Sequence, residues 1–310
     1  MKKKCLIAVE GGTGKNIMLT ALLPIIKEKY EEVYITTPYY DVFKACPYVD
    51  DAFPMGQPNL YQELCLNDDV DILWREPYSN CDFIKKRCHL FDAWLEELNL
   101  KLPEGKTAME LTPNLDPSIE YPQVVEDAKQ MANELGKFII VQFCGGQSPL
   151  GDTEKPQYDE KQEGIKRNYH KAQQLINLLR EEYPDAKILH FALQNEPDYE
   201  GTQKIIKPYL VYTELAKYAF KVVCTDSSLQ HLVSGKCKDT TVIWLETRPN
   251  HFGYACNKNI CANNVNNSQP YFKPLGASPA IVKAPTPEQV MEVVKMTKEE
   301  YDNNDTIVKL

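Results

Sequence analysis

The run KFIIVQF at residues 137–143 constrains the fold of this 310-residue chain more than any other stretch. It is apolar at nearly every position, where a strand with one wet face would alternate. Such a run suits a strand covered on both sides, as in parallel sheets flanked by helices. Related β-rich runs recur at 4–9 (KCLIAV), 32–38 (EVYITTP), 70–74, 187–193 (KILHFAL), 221–225 (KVVCT) and 241–245 (TVIWL). Between them the apolar spacing turns helical. Ile17, Leu19, Leu22, Leu23 and Ile26 share most of one face of a helix expected over 16–30, and Phe91, Trp94, Leu95 and Leu98 repeat the pattern. Helices are also expected over 124–135, closed by Gly136, over 169–183, around 199–207, over 213–220 and from Asp226 onward. A last one, over 287–301, starts at Thr286. Strands alternating with helices predict an α/β chain with parallel sheets.

Domain size makes two domains the expectation for this length. Four prolines at 103, 113, 117 and 122, in a stretch with little periodicity, mark the expected linker. The expected division is 1–121, 122–285 and a C-terminal helix in 286–310.

Composition excludes several functional classes. The chain is 43% hydrophobic and 25% charged, with a net charge of -9, so it gives no global reason to expect a nucleic-acid partner. The N-terminal apolar run, Cys5 to Val9, is shorter than the roughly 7–15 residues of a secretory core. No stretch approaches the ~18–20 apolar residues of a membrane span, and a cytoplasmic location is expected. The ten cysteines are scattered, without a C-x-x-C pair. Cys81 with Cys88 and His89, and Cys256 with Cys261, lack the second half of a zinc site. Reduced, structural thiols and no metal site are expected.

Three constellations could carry chemistry. EGGTGKN at 10–16 follows the first strand, where glycines let backbone N–H groups approach an anion. It departs from a Walker A loop at Val9, in the place of the first glycine, and at Asn16, in the place of the magnesium-binding hydroxyl. In the deviant Walker A form, Glu10 stands where a lysine is needed, and WREP offers only Glu76 as the second-strand carboxylate. The second constellation is DSSLQH at 226–231, with Asp226 placed as a helix N-cap, Ser227 and Ser228 as hydroxyl donors, and His231 about one and a half turns along. The third is the turn Gly145, Gly146, Gln147, Ser148, followed by Lys166 and Arg167 ahead of a helix. Two cations there run against the helix dipole and suit a phosphate ligand.

The order of these pieces resembles the heptosyltransferase-type glycosyltransferases of family 9. The strand, glycine loop and helix up to residue 38, ACPYVDDAF at 45–53, and TELAKYAFKVVCTDSSLQH at 213–231 carry the likeness, which spans nearly the whole chain. Ser228 replaces the family's usual glycine. The resemblance implies a GT-B fold, two Rossmann-like doubly wound domains facing across a cleft, with the last helix returning to the N-terminal domain. It implies transfer of a sugar from a nucleotide diphosphate-sugar to a hydroxyl acceptor (a glycan, lipid-linked glycan or protein), with inversion, no metal and no resident cofactor. Asp226, Ser227, Ser228 and His231 would line the donor, with Gly145, Gly146, Gln147 and Ser148 opposite. Lys166 or Arg167 would neutralise the diphosphate, and Gln194 would contact the nucleotide. The family places a basic aspartate after the last glycine of the first loop, and here that residue is Lys15. An ammonium is a poor proton acceptor, so Glu10 or His89 becomes the candidate base, or Lys15 binds an acidic group. A sugar-nucleotide-binding protein without transferase activity is the alternative reading, and a deviant Walker A ATPase a further one.

Overall fold

The computed structural model describes residues 3–57, 60, 63–64, 66, 69–145, 168–192, 196–245, 247–262 and 284–304. The chain divides into two compact units, Met1–Val125 and Glu126–Leu310.

The N-terminal unit is built on β1 (Lys3–Ala8), β2 (Tyr30–Thr37), β3 (Asp51–Pro54) and β4 (Val70–Trp74), all parallel in the order β3-β2-β1-β4. Cys5, Leu6, Ile7 and Ala8 are buried without alternation, as expected of a central parallel strand. The long helix expected over 16–30 is two helices, Thr13–Leu19 and Leu23–Lys29. Pro24 causes the break, because it has no N–H to give to the carbonyl of Thr20. That carbonyl instead accepts from the Asn114 side-chain amide at 3.2 Å, while the Asn114 backbone N–H donates to Thr20 Oγ1 at 3.1 Å. Asp116 N–H donates to the Ala45 carbonyl at 2.6 Å, and Leu115 is buried. These bonds hold the proline-rich stretch expected to be a linker against the N-terminal unit. The boundary falls within the next helix, Pro122–Leu135, which Gly136 ends at a φ of +69°.

The C-terminal unit carries β5 (Phe138–Gln142), β6 (Lys187–Phe191), β7 (Gln203–Ile205), β8 (Lys221–Thr225), β9 (Thr240–Trp244) and β10 (Lys258–Cys261) in one parallel sheet. Its order, β7-β6-β5-β8-β9-β10, winds outward in both directions from β5 and β8. This is the doubly wound Rossmann order, and its reversal point lies between those two strands. The helix expected around 199–207 is replaced there by the edge strand β7, whose Lys204 pairs in register with His190. β10 has no apolar signature, since it opens with Lys258 and Asn259. Both are buried because their polar ends find partners: Asn259 Oδ1 accepts from the Trp244 indole at 2.8 Å, and Lys258 Nζ donates to the carbonyls of Val294 (3.1 Å) and Met296 (2.7 Å).

The expected single helix over 287–301 is also two, Pro287–Lys295 and Lys298–Asp302, each opened by a threonine capping box. The resemblance has this end of the chain returning to the N-terminal domain. Val290, Met291, Val293 and Val294 enter the core of the C-terminal unit with Ile139, Val141, Leu175 and Ile176. Lys221 Nζ joins Lys258 on the carbonyl of Val294 at 2.9 Å, so two cations cap that helix's C-terminus.

His190 is wholly buried in β6, 4.8 Å from the Tyr199 ring and with Glu196 Oε2 3.8 Å from Nε2, and among the described residues neither ring nitrogen makes a hydrogen bond. Burial first, and then the charge of Lys204, lowers its pKa from 6.5 to about 4. The unfolded chain therefore binds this proton at a higher pH than the folded one, and stability present above pH 6.5 is lost as the pH falls through about 4. The full effect of that shift is about 3 kcal/mol. Denaturant titrations between pH 7 and 4 are expected to show a decline that His190→Phe flattens; an equally steep decline in the variant would refute this assignment.

Candidate functional site

In the N-terminal unit the first glycine turn leaves β1 through Gly11, whose φ of +93° favours glycine. A Cβ there would also press on Lys15, at 3.1 Å from Cε and 3.2 Å from Nζ. Lys15 folds back under the turn and is buried, its side chain 1% exposed. Its ammonium meets Glu76 Oε2 at 2.7 Å and lies 5.2 Å from the centre of the Tyr78 ring. Glu76 stands two residues beyond β4, caps the turn Pro77–Ser79, and accepts the Tyr78 N–H on Oε1 at 3.1 Å. Asn16, in the Walker hydroxyl position, has a structural role. Its amide donates to the Gly12 carbonyl at 3.0 Å and its Oδ1 accepts from Thr37 Oγ1 at 2.6 Å, fastening the turn to the end of β2.

Glu10 is exposed. His89 is the N-cap of the helix Leu90–Glu97, with Nδ1 accepting the Phe91 N–H at 3.1 Å and Asp92 returning a bond to the His89 N–H at 3.1 Å. A ring nitrogen that accepts in this way carries no proton, so the imidazole is held in one orientation.

In the C-terminal unit the ends of β5 and β8 lie side by side, Gln142 in register with Cys224. The Ser227 hydroxyl donates to Gln142 Oε1 and thereby bridges the two strand ends. Ser227, and not Asp226, is the N-cap residue of the helix Ser228–Val233, and its hydroxyl makes no bond to that helix. Asp226 is buried one residue earlier, because its carboxylate accepts from the Gln230 amide at 2.5 Å and from the Thr247 hydroxyl. Ser228 is half-buried at the opening of that helix. His231 Nδ1 lies 2.8 Å from the Tyr254 hydroxyl, which burial keeps protonated by raising its pKa well above the usual phenol range. Gly145 donates its N–H to Asn168 Oδ1 at 3.1 Å. Gly146, Gln147, Ser148, Lys166, Arg167 and Gln194 lie outside the described residues. None of the described cysteines forms a disulfide, and burial pushes the Cys5, Cys46 and Cys144 thiols up to about 12.

The structure thus gathers Asp226 and Ser227 with Gln142, Gln230 and Thr247, and sets Lys15 beside Glu76. Gln142 carried a readable signal, as the lone polar residue of FIIVQF. Thr247 and Tyr254 carried none, because only the fold brings them to residues 226–231.

No family model matches the chain, and no curated protein matches its sequence. Solved structures do match. A family 9 glycosyl transferase from Veillonella parvula superposes with a TM-score of 0.63 at 10% identity, over 94% of this chain and 96% of that one. E. coli ADP-heptose lps heptosyltransferase II gives 0.52 at 12% identity, over 96% of both chains. E. coli heptosyltransferase WaaC with ADP-2-deoxy-2-fluoro heptose gives 0.52 at 11% identity, over 86% of this chain and 95% of that one. The fold is that of the heptosyltransferase-type GT-B glycosyltransferases. In doubly wound sheets of this kind ligands bind beyond the carboxyl ends of the strands where the order reverses. The Gln142–Ser227 bridge of this GT-B chain stands at that place in the C-terminal sheet.

Removing either partner of the bridge leaves the other buried without it, which costs about 1–3 kcal/mol. Gln142→Leu and Ser227→Ala are each expected to lower stability by that order, and the double variant by less than their sum. Strict additivity in denaturant titrations would show that the two side chains do not interact.

Proposed function

We propose that the chain transfers a sugar from a nucleotide diphosphate-sugar, held by the C-terminal unit, to a hydroxyl acceptor. The observation that carries the reading is the hydrogen bonding of Ser227 to Gln142, and of Asp226 to Gln230 and Thr247, at the reversal point between β5 and β8. Asp226, Ser227 and Gln230 belong to the DSSLQH stretch that resembles the family 9 donor signature. The Asp226 carboxylate accepts from Gln230 and Thr247, and its part in this reading is to shape the loop that presents Ser227, Ser228 and the following backbone N–H groups. A preorganised loop needs no rearrangement as charge develops on the leaving group.

Lys166 or Arg167 supplies the positive charge that offsets the departing diphosphate, and Gln194 addresses the nucleoside. Transfer proceeds with inversion and needs no metal in this reading. The acceptor oxygen attacks the anomeric carbon from the side opposite the diphosphate. E. coli WaaC holds ADP-2-deoxy-2-fluoro heptose, which makes an adenine-nucleotide sugar the first donor to try.

Thermal-shift measurements with ADP-, UDP- and GDP-sugars test the donor assignment. A ligand at one hundred times its Kd stabilises the fold by about 2.7 kcal/mol, so one member of the panel is expected to raise Tm by several degrees. Ser228→Asp, which sets a carboxylate at a half-buried position beside the proposed diphosphate, is expected to remove that shift while leaving the ligand-free Tm nearly unchanged. No shift with any sugar nucleotide would contradict the proposal.

A further inference from the structure

The geometry points to Glu76 as the base that takes the proton from the acceptor hydroxyl, with Lys15 as the residue that positions it. The inference rests on the sugar-transfer reading and supplies the group that reading lacks, since the turn after β1 carries a lysine where the resemblance expects an aspartate.

Three observations converge on Glu76. The first is topological. In the N-terminal sheet the strand order reverses between β1 and β4, and the two strands end side by side, with Ala8 paired to Trp74. Glu76 therefore stands just past the carboxyl ends of the strands at the reversal point, where open α/β sheets receive ligands.

The second is the way the carboxylate is held. Oε1 accepts from the Tyr78 N–H at 3.1 Å and Oε2 from Lys15 at 2.7 Å, yet the side chain remains 42% exposed. A base must be both fixed in place and open to its substrate, and Glu76 meets both conditions.

The third is the burial of Lys15. Its side chain is 1% exposed, enclosed between the Gly11 turn, the Tyr78 ring and Glu76. It cannot reach out to an acidic acceptor without giving up the ion pair. The lysine thus brings a carboxylate from the end of β4 to the turn after β1. The other candidates are placed differently: the His89 Nδ1 caps a helix, and Glu10 is exposed.

The step balances as follows. The acceptor O–H bond breaks and its proton passes to a Glu76 carboxylate oxygen. The acceptor oxygen forms its bond to the anomeric carbon as the bond from that carbon to the phosphate oxygen breaks. The electron pair leaves with the nucleoside diphosphate, and Glu76 later returns its proton to water.

Release of nucleoside diphosphate by the full chain, with water as the acceptor and the sugar nucleotide that gives the largest thermal shift as the donor, tests the assignment. Glu76→Gln retains an acceptor for the Tyr78 N–H. It is expected to lower kcat at least about 100-fold, in the range for loss of a general base, with donor KM changed less than about threefold and the acidic limb of the pH–kcat profile lost. Glu76→Asp is expected to recover part of the rate and that limb. Lys15→Met, which keeps the carboxylate but frees it, is expected to lower kcat by a smaller factor. Tm measured for each variant separates these effects from misfolding. Release at the wild-type rate by a folded Glu76→Gln variant would overturn the base assignment and leave sugar transfer standing. A wild-type chain that binds a sugar nucleotide but never releases the diphosphate would overturn the assignment and leave only the donor site. Absence of sugar-nucleotide binding would overturn the donor reading and this inference together.

Discussion

The pairing of β5 with β8 is the constraint on which the C-terminal unit depends. These two strands sit at the centre of a six-stranded parallel sheet, and from them the chain winds outward in opposite directions. Residues 138–141 and 222–224 are buried, so the pair is held by backbone hydrogen bonds and apolar cover on both faces. Just beyond those residues the connections diverge and polar groups must find partners in a nearly dry place. Ser227 finds one in Gln142, and Asp226 accepts from Gln230 and Thr247. Open α/β sheets take their ligands where the strand order reverses in this way, which is why the proposed donor site is set here.

The N-terminal unit meets the same constraint with charge. Its order also reverses, between β1 and β4, and there a buried ammonium and a half-exposed carboxylate form the bridge. Burying a lysine is costly unless it is paired. Glu76, with the Tyr78 ring nearby, makes Lys15 tolerable in that turn. The glycine at position 11 is favoured by its positive φ, and a Cβ there would also press on the end of the Lys15 side chain. A motif that reads in the sequence as a failed phosphate loop is, in the fold, a device for holding a carboxylate at a strand end.

Much of the architecture was legible because long apolar runs have one physical meaning. KFIIVQF read as a strand covered on both sides and KCLIAV and KVVCT as β-rich strands, and their alternation with helices implied parallel sheets. The misreadings have definite causes. Pro24 interrupts an apolar period that otherwise continues to Tyr30, and periodicity alone does not register a missing N–H. The segment around Asn114 looks like a linker because its attachment is made by backbone groups and one amide, which carry no pattern. β10 is invisible because Lys258 and Asn259 are buried through bonds to groups far along the chain. At residues 226–227 the sequence misassigned the N-cap, since both residue types cap helices and only backbone geometry chooses between them. Glu76 could be found as a carboxylate after a strand, but not as the partner of Lys15, because that contact spans 61 residues.

The most direct test of a donor site at the β5–β8 reversal point is backbone hydrogen exchange of the full chain with and without an ADP-sugar. The account predicts added protection at the amides of residues 143–145 and 226–231. Protection confined to other segments, or an exchange pattern unchanged by saturating ligand, would contradict it.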